Sequence, residues 1–257
     1  MNWGPIWPWL LGGEHEALRI AGVPTLLLEH LLYVVVPVLV AIAVALPIGL
    51  WVGHVNRGGT LAVNVSNVGR AIPSLGLILI AYIAFARSLT PVFVTLIAMA
   101  IPPILTNTYV GVREVDPEIR DAAVGMGLSG WEILRRVEIP MAMPVIMAGI
   151  RTSAVQVVAT ATLAAFVGFG GLGRPIFTGL ATSVQYNPDA RTVVVVAVVL
   201  VAAFAIVVEQ LLGVVERVVV PTGLRRKQEQ QDSGVPARTE ADVDPAQQTE
   251  EQSTVTV

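Results

Sequence analysis

The sequence predicts an all-α integral membrane protein with five spanning helices, and three observations predict it. Hydrophobic residues make up 54% of the chain and charged residues 14%, against about 25% charged in a soluble globular protein. Five stretches approach the ~20 apolar residues that a bilayer crossing needs. Arginine and lysine gather in the connections on one side of those stretches, as expected for a multi-pass protein. The mean hydropathy of +0.71 agrees with lipid as the solvent.

The elements follow in chain order. The opening MNWGPIWPWLLGG lacks a basic region ahead of its first apolar run and is broken by Pro and Gly. It therefore does not read as a cleaved signal peptide. Trp3, Trp7 and Trp9 suit a membrane interface, where an amphipathic ring is at home. Residues 14–28 are short and charged for a span and read as an interfacial helix; they leave a count of six open. The spans are predicted at residues 31–52, 68–86, 89–112, 141–167 and 192–215. Pro37, Pro47, Pro73 and Pro102–Pro103 are expected to kink the first three. The domain plan is an N-terminal segment at 1–30, a transmembrane domain at 31–220 with a loop at 113–140, and a tail at 221–257.

Ten bases fall on one side of this plan: Arg57, Arg70, Arg113, Arg120, Arg135, Arg136, Arg217, Arg225, Arg226 and Lys227. Four fall on the other: Arg19, Arg87, Arg174 and Arg191. The excess places the 113–140 loop and the C-terminus in the cytoplasm, and an odd span count leaves the N-terminus outside. Residues 228–257 carry seven acids and one base. That stretch is rich in Gln, Thr and Pro, has no aromatic residue, and is predicted to be disordered. Arg151 and Glu209 fall inside nominal spans, where a charge is costly unless it snorkels or pairs.

Several function classes are set aside. There is no cysteine, so no disulfide framework or cysteine-based metal site is possible, and His15, His30 and His54 are too scattered to make a ligand cluster. No G-x-x-x-x-G-K-[ST] loop is present to cradle a nucleotide triphosphate. VGFGGLG at 167–173 is glycine-rich but follows a spanning helix, not a strand, so it does not fit a dinucleotide fingerprint.

The 113–140 connection is helix-like. Asp116 is placed to cap a helix that opens on Pro117 and reads PEIRDAAVGM. Gly127 and Gly130 break it, Ser129 is available to cap a second short helix, GWEILRRVEI, and Pro140 is expected to end that helix ahead of the fourth span. Ala122 and Ala123 offer a small face that sits closely in a partner's groove.

That loop resembles the coupling motif of bacterial ABC importer permeases: Glu-Ala-Ala, three residues, Gly, nine residues, Ile-x-Leu-Pro. It stands here as Asp121-Ala122-Ala123, Gly127, then Val137, Ile139 and Pro140, with Asp, Val and Ile replacing Glu, Ile and Leu. The resemblance covers roughly residues 30–220. It implies the type I importer permease fold, similar to that of methionine importer permeases, in the prokaryotic inner membrane. It further implies that the loop docks on a cytoplasmic ATPase subunit that holds ATP–Mg, this chain binding no cofactor. The other implied partners are a second permease copy or a paralogue, an extracytoplasmic solute-binding protein and lipid; no nucleic acid is expected. ATP binding would draw the two loops together and open the path outwards. The family often carries GxGGLG near the external gate, which singles out Gly168, Gly170, Gly171 and Gly173.

RAIPSLGLILIAY, VEIPMAMPVIMAGIRTSAVQVVATATLAAFVGFGGLG and the coupling loop together resemble the osmoprotectant branch, for glycine betaine, choline, carnitine or proline betaine. Methionine-type importers share the five-span plan. A secondary transporter would show internal repeats around midplane ionisable residues, and a membrane scaffold has no reason to carry the spaced loop. Thr152, Gln156 and Thr160 share one face of the fourth span. That stripe either lines the path or supplies the helix–helix hydrogen bonds that Ser, Thr and Gln make in membranes.

Overall fold

A computed structural model describes residues 6–13, 20–56, 73–84, 90–182 and 188–220, with Gly59 and Asn64. The chain divides into two units after Val219, and only Val220 of the second is described. The predicted disordered tail thus lies outside the described residues, as do Trp3 and residues 14–19.

The helices are α1 (Ile6–Leu10), α2 (Val23–Val55), α3 (Ser74–Ala84), α4 (Thr90–Arg113), α5 (Pro117–Gly125), α6 (Gly130–Ile133), α7 (Ile139–Ala161), α8 (Gly173–Ala181) and α9 (Pro188–Val219). A π turn, Leu134–Glu138, joins α6 to α7, and a 3₁₀ turn, Thr162–Val167, closes α7. Among the described residues, four helical stretches are long and apolar enough to cross a membrane: Val23–Val55, Thr90–Arg113, Gly130–Val167 and Pro188–Val219. Helix α3 is shorter, at 11 residues. Parts of the second predicted span, at 68–72 and 85–86, lie outside the described residues.

Three elements differ from expectation. Helix α2 begins at Val23, not near residue 31: Pro24 in its first turn presets φ for a helix, and the apolar run from Val23 onwards continues directly into the span. No separate interfacial helix covers residues 23–28. Pro140 does not end the second short helix, because Gly130–Val167 runs through it as one stretch. A proline removes a backbone donor and crowds the carbonyl four residues earlier; the wider π turn just ahead of Pro140 accommodates both. Pro73 stands ahead of α3, where its carbonyl accepts the Leu77 N–H at 3.0 Å, so it caps that helix instead of kinking it. Pro37, Pro47, Pro102 and Pro103 lie inside helices that continue past them.

Helices α2, α4 and α7 form the centre. Lipid provides no hydrophobic drive for helices to associate, so close approach over small residues matters more than in water. A Cβ on Gly49 would stand 2.7 Å from Thr108 Cβ, and one on Gly53 2.7 Å from Val112 Cβ. On α7, a Cβ at Gly149 would stand 2.6 Å from Asn107 Cβ. Polar ties cross the same contacts: Ser153 Oγ donates to the Ala100 carbonyl at 3.0 Å, and His30 Nε2 lies 3.2 Å from the Val158 carbonyl.

A second core gathers Ile6, Trp9, Ile20, Val23, Leu26 and Leu172 against the first turns of α9. Trp9 is fully buried there and its Nε1–H donates to the Ala21 carbonyl at 2.8 Å. It is a core residue, whereas Trp7 is exposed. The buried residues of α9 are Ala190, Thr192, Val193 and Ala197, all near its start.

Candidate functional site

The loop between α4 and α7 is built from local capping. Asp116 Oδ1 accepts the Glu118 N–H at 2.9 Å and starts α5 with Pro117 in its first turn. Gly127 follows α5 at φ +82°, a left-handed conformation that side chains disfavour, and a Cβ there would meet nothing within 4 Å. The chain thereby turns into α6, which opens on Ser129. Glu132 Oε2 accepts both the Ser129 N–H at 3.0 Å and the Ser129 hydroxyl at 2.8 Å. Each half of the loop therefore has its own start signal.

Asp121, Ala122 and Gly127 are exposed, whereas Ala123 is 1% exposed and packs inward. The small face expected from both alanines is thus split, with Ala122 alone outward. Larger apolar groups share the outer surface: Val124 is 60% exposed, Met126 74% and Trp131 67%. Val137, Ile139 and Pro140 are half-buried where the π turn meets α7.

Between Val137 and Ile139 lies a residue that sequence reasoning passed over. Glu138 is 1% exposed. Its Oε2 lies 2.7 Å from His54 Nδ1, in the last turn of α2. A carboxylate can only accept, so the proton of that bond belongs to Nδ1. Arg120 Nε, from α5, lies 3.1 Å from Glu138 Oε1 as a charge contact that lacks hydrogen-bond alignment. Arg120 Nη2 also donates to the Val112 carbonyl in the last turn of α4. The available signal was positional: His54 and Glu138 sit at the ends of two spans that must surface on the same side.

The structure does not bring the three stripe residues to one open surface. Thr152 is exposed and its hydroxyl donates back to the Ala148 carbonyl at 2.9 Å. Thr160 is 7% exposed and donates to the Gln156 carbonyl at 2.9 Å, and Gln156 is half-buried. Thr152 lines a cavity of about 390 Å³ with Ala148, Arg151, Val155 and Glu209. The charges there are paired: Arg151 donates to Glu216 at 2.8 Å and to Glu209 at 3.3 Å, both on α9.

At the other end of α7, Gly168 (φ +88°) terminates the 3₁₀ turn and Gly171 adopts φ +77°. A Cβ at Gly173 would stand 2.0 Å from the Thr162 carbonyl oxygen. The Gly171 N–H donates to Glu29 Oε2 of α2 at 2.7 Å. Neither Glu29 nor the buried His30 beside it stood out in the sequence, although two ionisable groups starting an apolar helix were a signal. Phe169 packs edge-on against Tyr82 of α3, with ring centres 6.0 Å apart.

Residues 45–220 match the family model described as the inner membrane component of binding-protein-dependent transport systems. Over 201 residues, 78% of this chain and 90% of the relative, the sequence is 37% identical to the glycine betaine/carnitine/choline transport system permease protein OpuCB of Bacillus subtilis (strain 168). It is 31% identical to the osmoprotectant import permease protein OsmW of Salmonella typhimurium, over 82% of this chain and 98% of that one. Among solved structures, the MetNI methionine ABC transporter in an inward-facing conformation aligns with a TM-score of 0.65 and 22% identity, over 86% of this chain and all of that one. That likeness is one of fold.

Proposed function

The chain belongs to the family of binding-protein-dependent transport inner membrane components, and on that footing we propose that it forms the translocation path of an ATP-driven importer for a small quaternary ammonium osmoprotectant. The family places it in the inner membrane as a multi-pass transport subunit. The solute class is supported by relatives named for glycine betaine, carnitine and choline transport. The type I plan has five spans, α3 forming part of the second, with the N-terminus outside and the loop inside. Two ATPase subunits carrying ATP–Mg dock below, a second permease copy or paralogue completes the path, and a solute-binding protein delivers from outside.

The observation that carries this reading is the outer face of α5 and α6. Val124, Met126 and Trp131 are exposed outside the apolar helices, beside Ala122 and Gly127. Large exposed apolar groups on a polar loop suit a surface that a partner covers. Asp121, Ala122 and Gly127 would then meet the ATPase, while Val137, Ile139 and Pro140 carry the movement into α7. Thr152 and Gln156 are assigned to the path, and Gly168, Gly170, Gly171 and Gly173 to the outer gate.

The experiment is betaine uptake by the chain assembled with its ATPase and binding protein, scored together with ATPase co-purification. Gly127→Asp puts a side chain and a charge on the docking face, and both readouts should fall by about tenfold or more, the scale of losing an interface anchor. Uptake persisting with normal ATPase association would sink the docking assignment. In the same assay Gln156→Leu should lower uptake and spare co-purification; unchanged uptake would remove it from the path.

A further inference from the structure

We infer that Glu138 is a joint that ties the coupling loop to α2 as well as to α7 and seats Arg120 where it binds α4, so that displacement of α5 moves three membrane helices together. The inference rests on the docking role proposed for the loop and names the residue through which that docking acts.

Four structural facts converge on one side chain. Glu138 is almost wholly buried, and a buried carboxylate persists only where partners replace its water. Its two partners come from two different elements, His54 at the end of α2 and Arg120 on α5. Arg120 in turn donates to the Val112 carbonyl, which closes α4. Glu138 itself is the last residue of the π turn that leads into α7, a kind of helix irregularity that is frequent at functional sites. One carboxylate thus sits where α2, α4, α5 and α7 meet.

Helix α5 otherwise has little hold on the bundle. Its buried residue is Ala123, and most of its remaining surface is open. A helix held by one small apolar contact would slide when pushed; a charged bridge fixes its position and direction. Buried ionic groups often give little net stability compared with apolar replacements, and in some proteins they specify arrangement instead. Here the arrangement is the angle between the loop and three spans. His54 also abuts the start of α6, where a Cβ on Gly130 would stand 3.4 Å from its Nε2. Both halves of the loop therefore bear on the end of α2.

The test measures solute imported per ATP hydrolysed by the full importer, with membrane accumulation and ATPase co-purification as controls. Glu138→Gln keeps the shape and removes the charge. It should leave the ATPase docked and hydrolysing, while transport per ATP falls about tenfold, within the roughly 5- to 150-fold span of coupling effects between sites. His54→Ala, at a partner that is 26% exposed, should produce the same uncoupling to a smaller degree. Combining the two should do no more than Glu138→Gln alone, since both open one joint. A merely structural role would lower accumulation and leave transport per ATP intact in whatever protein folds. An unchanged ratio in either variant overturns the inference, as does additive loss, or loss of the ATPase as in Gly127→Asp. If Glu138→Gln fails to accumulate, the ratio in His54→Ala decides. Failure of the unaltered chain to retain an ATPase would instead count against the importer reading itself.

Discussion

A single carboxylate also organises the end of the bundle opposite the loop. Glu29 Oε2 accepts the Gly171 N–H at 2.7 Å, and a Cβ built on Gly170 would fall 1.8 Å from the same oxygen. Gly170 thus leaves room for the bond that Gly171 makes. Hydrogen bonds to charged groups contribute about 1.5–3 kcal/mol, enough to hold a short glycine-rich turn in one place. The expectation is that Glu29→Ala raises hydrogen exchange at the Gly171 amide by about tenfold or more. Gly170→Ala should do the same by displacing the carboxylate, and the double variant should exchange no faster than either single one. Exchange at Gly171 unchanged in Gly170→Ala would show that the carboxylate does not hold the turn.

At the level of whole helices, what was legible in the sequence and what was not divides along physical lines. Helices α4, α7 and α9 declared themselves through apolar length, and the starts of α5 and α6 through Asp116 and Ser129, because span length and capping are local properties. The continuity through Pro140 was hidden, since the rule that proline ends a helix is also local and the π turn overrides it. The inward turn of Ala123 and the burial of Trp9 depend on residues distant in the chain. The His54–Glu138 pair is 84 residues apart, beyond any spacing rule. The same distinction predicts opposite outcomes for one substitution at two glycines. Gly53→Ala places a methyl 2.7 Å from Val112 Cβ, where no rotamer change gives relief, and overpacking of this kind costs about 1–3 kcal/mol. Gly213→Ala on α9 meets nothing within 4 Å and should be neutral or stabilising by up to about 1 kcal/mol, as expected when alanine replaces glycine in a helix. Thermal unfolding in detergent should lower the midpoint for Gly53→Ala alone; equal midpoints would mean that α2 and α4 do not meet over these glycines.

For the molecule as a whole, the prediction concerns how many times the chain crosses between its first turn and the 113–140 loop. Helices α2 and α4 each exceed the ~20 residues that a crossing requires. Helix α3 at 11 residues covers about 16 Å at 1.5 Å per residue, roughly half the hydrocarbon thickness. If the segment containing α3 crosses, three crossings separate Leu11 from Asp121 and the two lie on opposite sides. Helices α2 and α4 run parallel, Gly49 against Thr108 and Gly53 against Val112, so the chain between them returns to the side on which α2 began. The bias of basic residues toward the 113–140 connection puts Asp121 inside, so Leu11 is expected outside. The chain has no cysteine, so a single introduced thiol reports without background. Leu11, 84% exposed, and the exposed Asp121 are suitable positions. In intact cells a membrane-impermeant thiol reagent should label Leu11→Cys and spare Asp121→Cys until the membrane is permeabilised. Protection of both would contradict the parallel packing of α2 against α4, and the five-span plan would fall with it.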